Sequence, residues 1–312
     1  MKHVSRREFG AMMAAGLVGG RFSTQEMFGR VGAVAPRIEE IIERIKQNLG
    51  VDWVPDTVDG VKAGDPSREV TGIVTTAMAT VLVIRQAADR GANLVITSEP
   101  TFYSRSDGPT PPAGRGGRGG DSDSDGPPST DAVFAAKNAL IEESGVVVFR
   151  LSDHWARRSP NPFARGFAAM FGWSPSGSID PRSYDIPATT LDALASDLED
   201  TLGTRGGIRV IGERETSVRT VGLLPGSTPI TASLEVLPNV DVVIGGEVRE
   251  WESAEYARDA VYAGQPKGLV LLGRVMSEEP GMRLMAEWLE TFVTDVPVHH
   301  VAPIDPYWRP AS

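Results

Sequence analysis

Gly91-Ala92-Asn93-Leu94-Val95-Ile96-Thr97-Ser98-Glu99-Pro100-Thr101-Phe102-Tyr103 is the stretch that decides the fold. Its apolar run Leu94-Val95-Ile96 is short, rich in β-branched residues and preceded by Gly91, which reads as a buried parallel strand fed by a helix. Glu99 then falls just past the C-terminal end of that strand. Open α/β sheets bind ligands at this edge, so a carboxylate followed by Pro100 marks a candidate site.

The device recurs. Asp241-Val242-Val243-Ile244-Gly245-Gly246-Glu247 repeats the strand-then-glutamate layout at a fixed offset, the one that carries position 99 to position 247. Upstream, Val70 to Val74 lines up with Val218 to Gly222 at the same offset, each stretch followed by an expected helix. The chain thus reads as an internally duplicated, two-lobed α/β fold in which each half presents a glutamate. Two units make a duplication and not a solenoid, which needs more repeats to bury a core.

Composition sets the outer bounds. The 312 residues, 41% hydrophobic and 23% charged, suffice for a substantial core. A net charge of −10 argues against a nucleic-acid backbone or an anionic membrane as the main partner, because counterion release needs a basic face. The absence of cysteine excludes disulfides, zinc-thiolate sites and thiol catalysis. His3, His154, His299 and His300 are the only histidines.

Residues 1–35 read as a twin-arginine signal region: Ser5-Arg6-Arg7-Glu8-Phe9 carries the pattern and Ala11 to Gly20 a weakly apolar run. This implies export to the periplasm or beyond, without a stable membrane span, because the run is too short. A first lobe is expected over 37–165, completed by 273–312, and a second over 166–272. Residues 104–130, composed mainly of Gly, Pro, Ser and Asp, read as a disordered insertion. The Gly114 to Gly120 arginine-glycine run inside it resembles an RNA-binding segment, but Asp121, Asp123 and Asp125 cancel its charge and favour a solvated loop.

Helical spacing predicts helices at 38–49, 80–90, 131–143, 163–171 and 191–202, the last with Thr189 and Asp192 placed to cap it. Residues 59–65 read as turn and loop, and the stretch through Pro181 and Pro187 as a proline-rich turn. A strand at 146–151 delivers Ser152-Asp153-His154-Trp155 to its end. His154 reads either as a metal ligand or acid/base group, or as a hydrogen-bonded residue fixing its loop. Glu278, expected between a strand end and a helix start, reads either as a ligand or as a first-turn acid. His299 and His300 fall on opposite faces of a last strand, unlike a chelating pair.

These motifs resemble one family, the Nif-three-like dinuclear metal-centre proteins, some of which also carry the description type 2 GTP cyclohydrolase I. The resemblance covers most of 37–312 and rests on Gly91 to Thr97 with Glu99 to Tyr103, Asp153 to Trp155, Gly246-Glu247, and Gly273 with Ser277 to Glu279. It implies a two-lobed α/β subunit in a ring-like homohexamer, with paired divalent metals facing a shared cavity. It also implies a hydrolase-like use of a metal-bound water on a small phosphorylated or nucleotide-like substrate. Residue by residue, the metal site departs from the family: Ser98, Ser152, Ala156 and Arg274 stand where relatives carry histidine. The ligand-type side chains that remain are Glu99, His154 and Glu278, with Glu247, inferred from the repeat, Asp153 and Arg274 as additional ligand or pocket residues. One divalent ion, magnesium, manganese or zinc, is one expectation. The other is none, with the guanidinium of Arg274 holding the carboxylates and turning the site over to ligand binding or scaffolding.

Overall fold

The structure is a computed structural model that describes residues 35–105, 107, 127, 130–177, 180–203 and 207–308. The twin-arginine pattern and the arginine-glycine run lie outside the described residues.

The first sheet has the order β1 (Gly60–Ala63), β4 (Val147–Arg150), β3 (Leu94–Thr97), β2 (Ile73–Thr76), β11 (Val298–His300). All but β1 run parallel. Alternation along each strand sends one set of side chains to each face. Ile73, Leu94, Ile96, Val147 and Phe149 pack under α1 (Ile38–Asn48) and α9 (Arg274–Glu290). Val74, Val95 and Val148 pack against α2 (Val81–Asp89) and α3 (Ala132–Ser144). Both faces are therefore covered, which is why these strands read as continuous apolar runs.

The second sheet has the order β5 (Ser174–Pro175), β6 (Ser183–Thr190), β8 (Ser217–Ser227), β9 (Val242–Glu247), β10 (Gly268–Leu271), β7 (Arg209–Ile211). Its centre, β8-β9-β10, is parallel, with antiparallel pairing on either side. One face packs on α5 (Pro162–Met170) and α6 (Leu191–Leu202), the other on α7 (Ile230–Val236) and α8 (Glu255–Tyr262).

The duplication is visible in register. Ile73 faces Leu94 across β2 and β3, and Val221 faces Val242 across β8 and β9. The second pair is the first displaced by the offset that relates Glu99 to Glu247. The next step differs: Leu94 pairs with Val147 across a long connection, but Val242 pairs with Gly268 across a much shorter one. The stretch 104–130 falls inside the longer connection and accounts for the difference.

Four local expectations are corrected. Residues 60–63 form edge strand β1, antiparallel to β4, and not a loop. The proline-rich turn is largely β6, with Pro187 at the register shift between Asp185 and Thr189, a bulge that tolerates its missing N–H. Helix α6 is capped by Thr190, whose hydroxyl accepts from Ala193 N–H, and Asp192 pairs with Arg214 instead. Helix α9 starts directly after Gly273, so Glu278 lies in its second turn and not at a helix start.

Candidate functional site

The two glutamates of the repeat meet a single arginine. Glu99 follows β3, and Glu247 ends β9. Arg274 is the first residue of α9. Its Nε lies 2.7 Å from Glu99 Oε1 and its Nη1 lies 2.9 Å from Glu247 Oε1. The contact with Glu247 is a directed hydrogen bond. That with Glu99 is short but misaligned, leaving Glu99 Oε1 and Arg274 Nε buried without hydrogen-bond geometry. It is therefore an ion contact, and Arg274 gives each carboxylate one nitrogen instead of gripping either with a two-pronged fork.

Glu278 sits behind this pair, 6% exposed. Ser98 Oγ donates to its Oε2 at 2.7 Å. Ser98 occupies the expected first histidine position and thus serves a neighbouring carboxyl. Burial, and then the charge of Glu99, pushes the Glu278 carboxyl far above the ordinary carboxylate range, so it is protonated at neutral pH. Burial draws protons off Arg274, but Glu99 and Glu278 more than offset this and raise its pKa further. Space for Glu278 comes from Gly226, where a Cβ would lie 2.4 Å from Glu278 Oε1. Gly226 also has φ +77°, a conformation in which glycine carries no Cβ penalty.

His154, on the short helix α4 (Asp153–Ala156), does not join this cluster. It is fully buried and stacked on Trp53 at 3.9 Å between ring centroids. Its Nε2 accepts from Val54 N–H at 3.0 Å, so its Nδ1 carries the proton and donates to Asp59 Oδ2 at 2.7 Å. With both nitrogens engaged it has no lone pair for a metal; it is the residue that fixes its loop. Asp153 borders the same cavity as Glu99 and accepts from Thr57 Oγ1 and Val58 N–H. His300 lies on Glu279, Nε2 to Oε1 2.5 Å, away from the Arg274 contacts.

The donor set does not fit the divalent ion that the resemblance implies. A permanently charged guanidinium occupies the ground between Glu99 and Glu247, Glu278 holds a proton, and His154 is spent. Among the described residues, no group of three or more His, Cys, Asp or Glu is arranged to hold a metal ion. The chemistry left to the site is charge pairing, hydrogen bonding and proton exchange through Glu278.

A cavity of about 840 Å³ opens over the cluster, bordered by Glu99, Glu247 and Arg274 and by Thr101, Lys137 and Arg150. The last three were not singled out from sequence. Lys137 and Arg150 are 5% and 4% exposed, cations placed on a core face of α3 and at the end of an apolar strand. That contrast with their neighbours was the available signal, since such residues are seldom buried unpaired.

Solved structures share this arrangement of sheets and helices. The protein ybgI, of unknown function, superposes with a TM-score of 0.63 at 20% identity over 87% of this chain and 100% of its own. Staphylococcus aureus protein SA1388 gives 0.65 at 15% identity over 88% and 99%. A Bacillus cereus protein related to NIF3 gives 0.63 at 13% identity over 88% and 99%. The chain has the NIF3-like fold. No protein-family model and no curated protein sequence matches it. Among the described residues, no helix is long and apolar enough to cross a membrane.

Proposed function

We propose that this chain is a member of the Nif-three-like family that works without a catalytic metal, as a small-ligand-binding protein whose cavity is floored by an internal ion cluster. The observation that carries the reading is Arg274, 2.7 Å from Glu99 and 2.9 Å from Glu247. Three carboxyls gathered between the ends of β3 and β9 and the start of α9 need a cation or a proton. Here Arg274 supplies the one and Glu278 holds the other, so no further charge is required to stabilise the cluster. The hydrolytic alternative, one divalent ion on Glu99, His154 and Glu278, would have to take the His154 Nε2 lone pair from Val54 N–H and displace Arg274. The twin-arginine pattern supports export of the folded chain, and the NIF3-like fold supports a homo-oligomer, a hexamer by resemblance.

Metal content of tag-free protein from the periplasmic fraction, measured by mass spectrometry beside an Arg274→His variant, tests the reading. The wild type is expected to hold no stoichiometric divalent metal. Near-stoichiometric manganese, zinc or iron in the wild type overturns it and returns the hydrolase reading to first place.

A further inference from the structure

We propose that Thr101, Lys137 and Arg105 form a subsite for an oxyanion, the phosphate or carboxylate end of the small molecule that the cavity takes. The inference rests on the reading of this cavity as a ligand site and adds the chemistry of what enters.

The first support is an orphaned hydroxyl. Thr101 borders the cavity and is only 1% exposed, yet its Oγ1 has no hydrogen-bond partner among the described residues. An unsatisfied buried polar group is destabilising, and a bound acceptor or donor would remove that penalty.

Charge balance is the second support. Every carboxylate bordering the cavity is already served: Glu99 and Glu247 by Arg274, Glu252 by Arg249, Asp153 by Thr57 and Val58. Among the cations, Arg274, Arg249 and Arg150 have partners, but Lys137 and Arg105 lack a carboxylate at salt-bridge distance among the described residues. Lys137 Nζ donates to Thr101 O at 2.6 Å and otherwise faces the rings of Phe102 and Tyr103, 5.8 and 5.3 Å from their centroids. Arg150 spends its nitrogens on Ser98 O and Arg105 O and reaches Asp107 at 3.5 Å. Asp107, itself buried, is the one carboxylate that faces Lys137, Arg150 and Lys62 together. The exposed side chain of Arg105, also on the cavity wall, forms no ion pair among the described residues. Burial draws the Lys137 ammonium down to about 8, the mark of a cation short of counter-charge. An oxyanion would take hydrogen bonds from Thr101 and Lys137 and neutralise Arg105.

The third support is geometric. Tyr103 and Asp107 both hold positive φ, +65° and +60°, which non-glycine residues seldom adopt. Asp107 Oδ1 pins this loop by accepting from the N–H groups of Thr101 and Phe102. Backbone held in such conformations presents Thr101 and Arg105 in a fixed orientation, as ligand clamps do.

Isothermal titration of the full chain with inorganic phosphate and, separately, with succinate tests the subsite. The wild type is expected to bind at least one of them. Thr101→Val should weaken that binding about tenfold while leaving the unfolding midpoint unchanged or raised, because it removes an unpaired hydroxyl. Arg105→Gln, an exposed change that leaves the core intact, should also weaken it, and Lys137→Met should abolish it. Binding of phosphate alone assigns a phosphate ester, and binding of succinate alone a carboxylic acid. Binding of neither probe by the wild type, or unchanged affinity in both Thr101→Val and Arg105→Gln, overturns the proposal. Metal content of the same wild-type preparation reports separately on the metal-free reading, since these substitutions leave the Arg274 cluster intact.

Discussion

At the scale of single residues, the candidate site is an exercise in charge matching. A carboxylate pair at 4 Å repels by about 4 kcal/mol at an effective dielectric constant near 20, so Glu99 and Glu278 cannot both ionise cheaply. Arg274 settles one charge and a retained proton the other. Arg274→Met should therefore destabilise the protein by about 2–3 kcal/mol in urea titration, below the usual figure for a fully buried pair because a third of its side chain is exposed. Adding Glu99→Gln should recover part of that loss, because it removes the charge left unpaired. Glu278 makes a pH prediction of definite sign. Its native carboxyl holds a proton above the ordinary value of 4.5, so the folded state binds more protons than the unfolded chain as pH rises past that value. The stability it contributes is complete in acid and is lost as pH climbs from the ordinary value through the raised native one, with a slope approaching ~1.4 kcal/mol per pH unit. Glu278→Gln mimics the protonated form and should flatten this slope in the difference between the two stability–pH curves. Equal slopes in variant and wild type would show that the proton is not on Glu278.

At the scale of elements, the loop after β4 shows what sequence can and cannot convey. Asp59, just before β1, accepts from the N–H groups of Ser152, Asp153 and His154 and from the His154 ring. Asp59→Ala would strand four donors, two of them fully buried, and should cost about 3 kcal/mol or more, read as a lowered urea midpoint. Long-range proton–nitrogen correlation spectra should place the His154 proton on Nδ1. The repeat of strand and glutamate was legible because buried parallel strands are continuous apolar runs, and its offset is retained in the β2–β3 and β8–β9 registers. Helices α1, α2, α3, α5 and α6 were legible within a residue or two from period and caps. β1 and β6 were not, since a short edge strand and a strand interrupted by Pro187 lack the alternation that marks a half-buried strand. The choice between the two roles of His154 was open for a different reason: its partners Asp59 and Val54 are remote in sequence, and local spacing carries nothing about them. The convergence of Glu99, Glu247 and Arg274 was half legible. Their places at strand ends follow from pattern, but the order in which Arg274 serves the two acids depends on where α9 begins.

At the scale of the whole molecule, α9 is the element that makes two sheets one body. It leaves β10 in the second sheet, where Ser277 Oγ accepts from Gly226 N–H at 2.8 Å. One to three turns later, Met282, Met285 and Leu289 are buried in the core under the first sheet. Gly281 allows it to lie against α5, since a Cβ there would come 2.6 Å from Phe163 Cα. Arg274 and Glu278 thus keep their places relative to Glu99 only while both ends of α9 are seated. Met285→Ala, a cavity in the first core alone, should cost about 2–5 kcal/mol. If α9 couples the lobes, that loss appears in both at once: hydrogen-exchange protection of β9 amides falls along with that of β3, and fluorescence of Trp173, in the second core, changes at the same urea concentration as far-ultraviolet circular dichroism. A β9 that keeps wild-type protection while β3 loses it would mean that the lobes unfold independently. In that case Arg274 would report on the second lobe alone, and its contact with Glu99 would be the first to open.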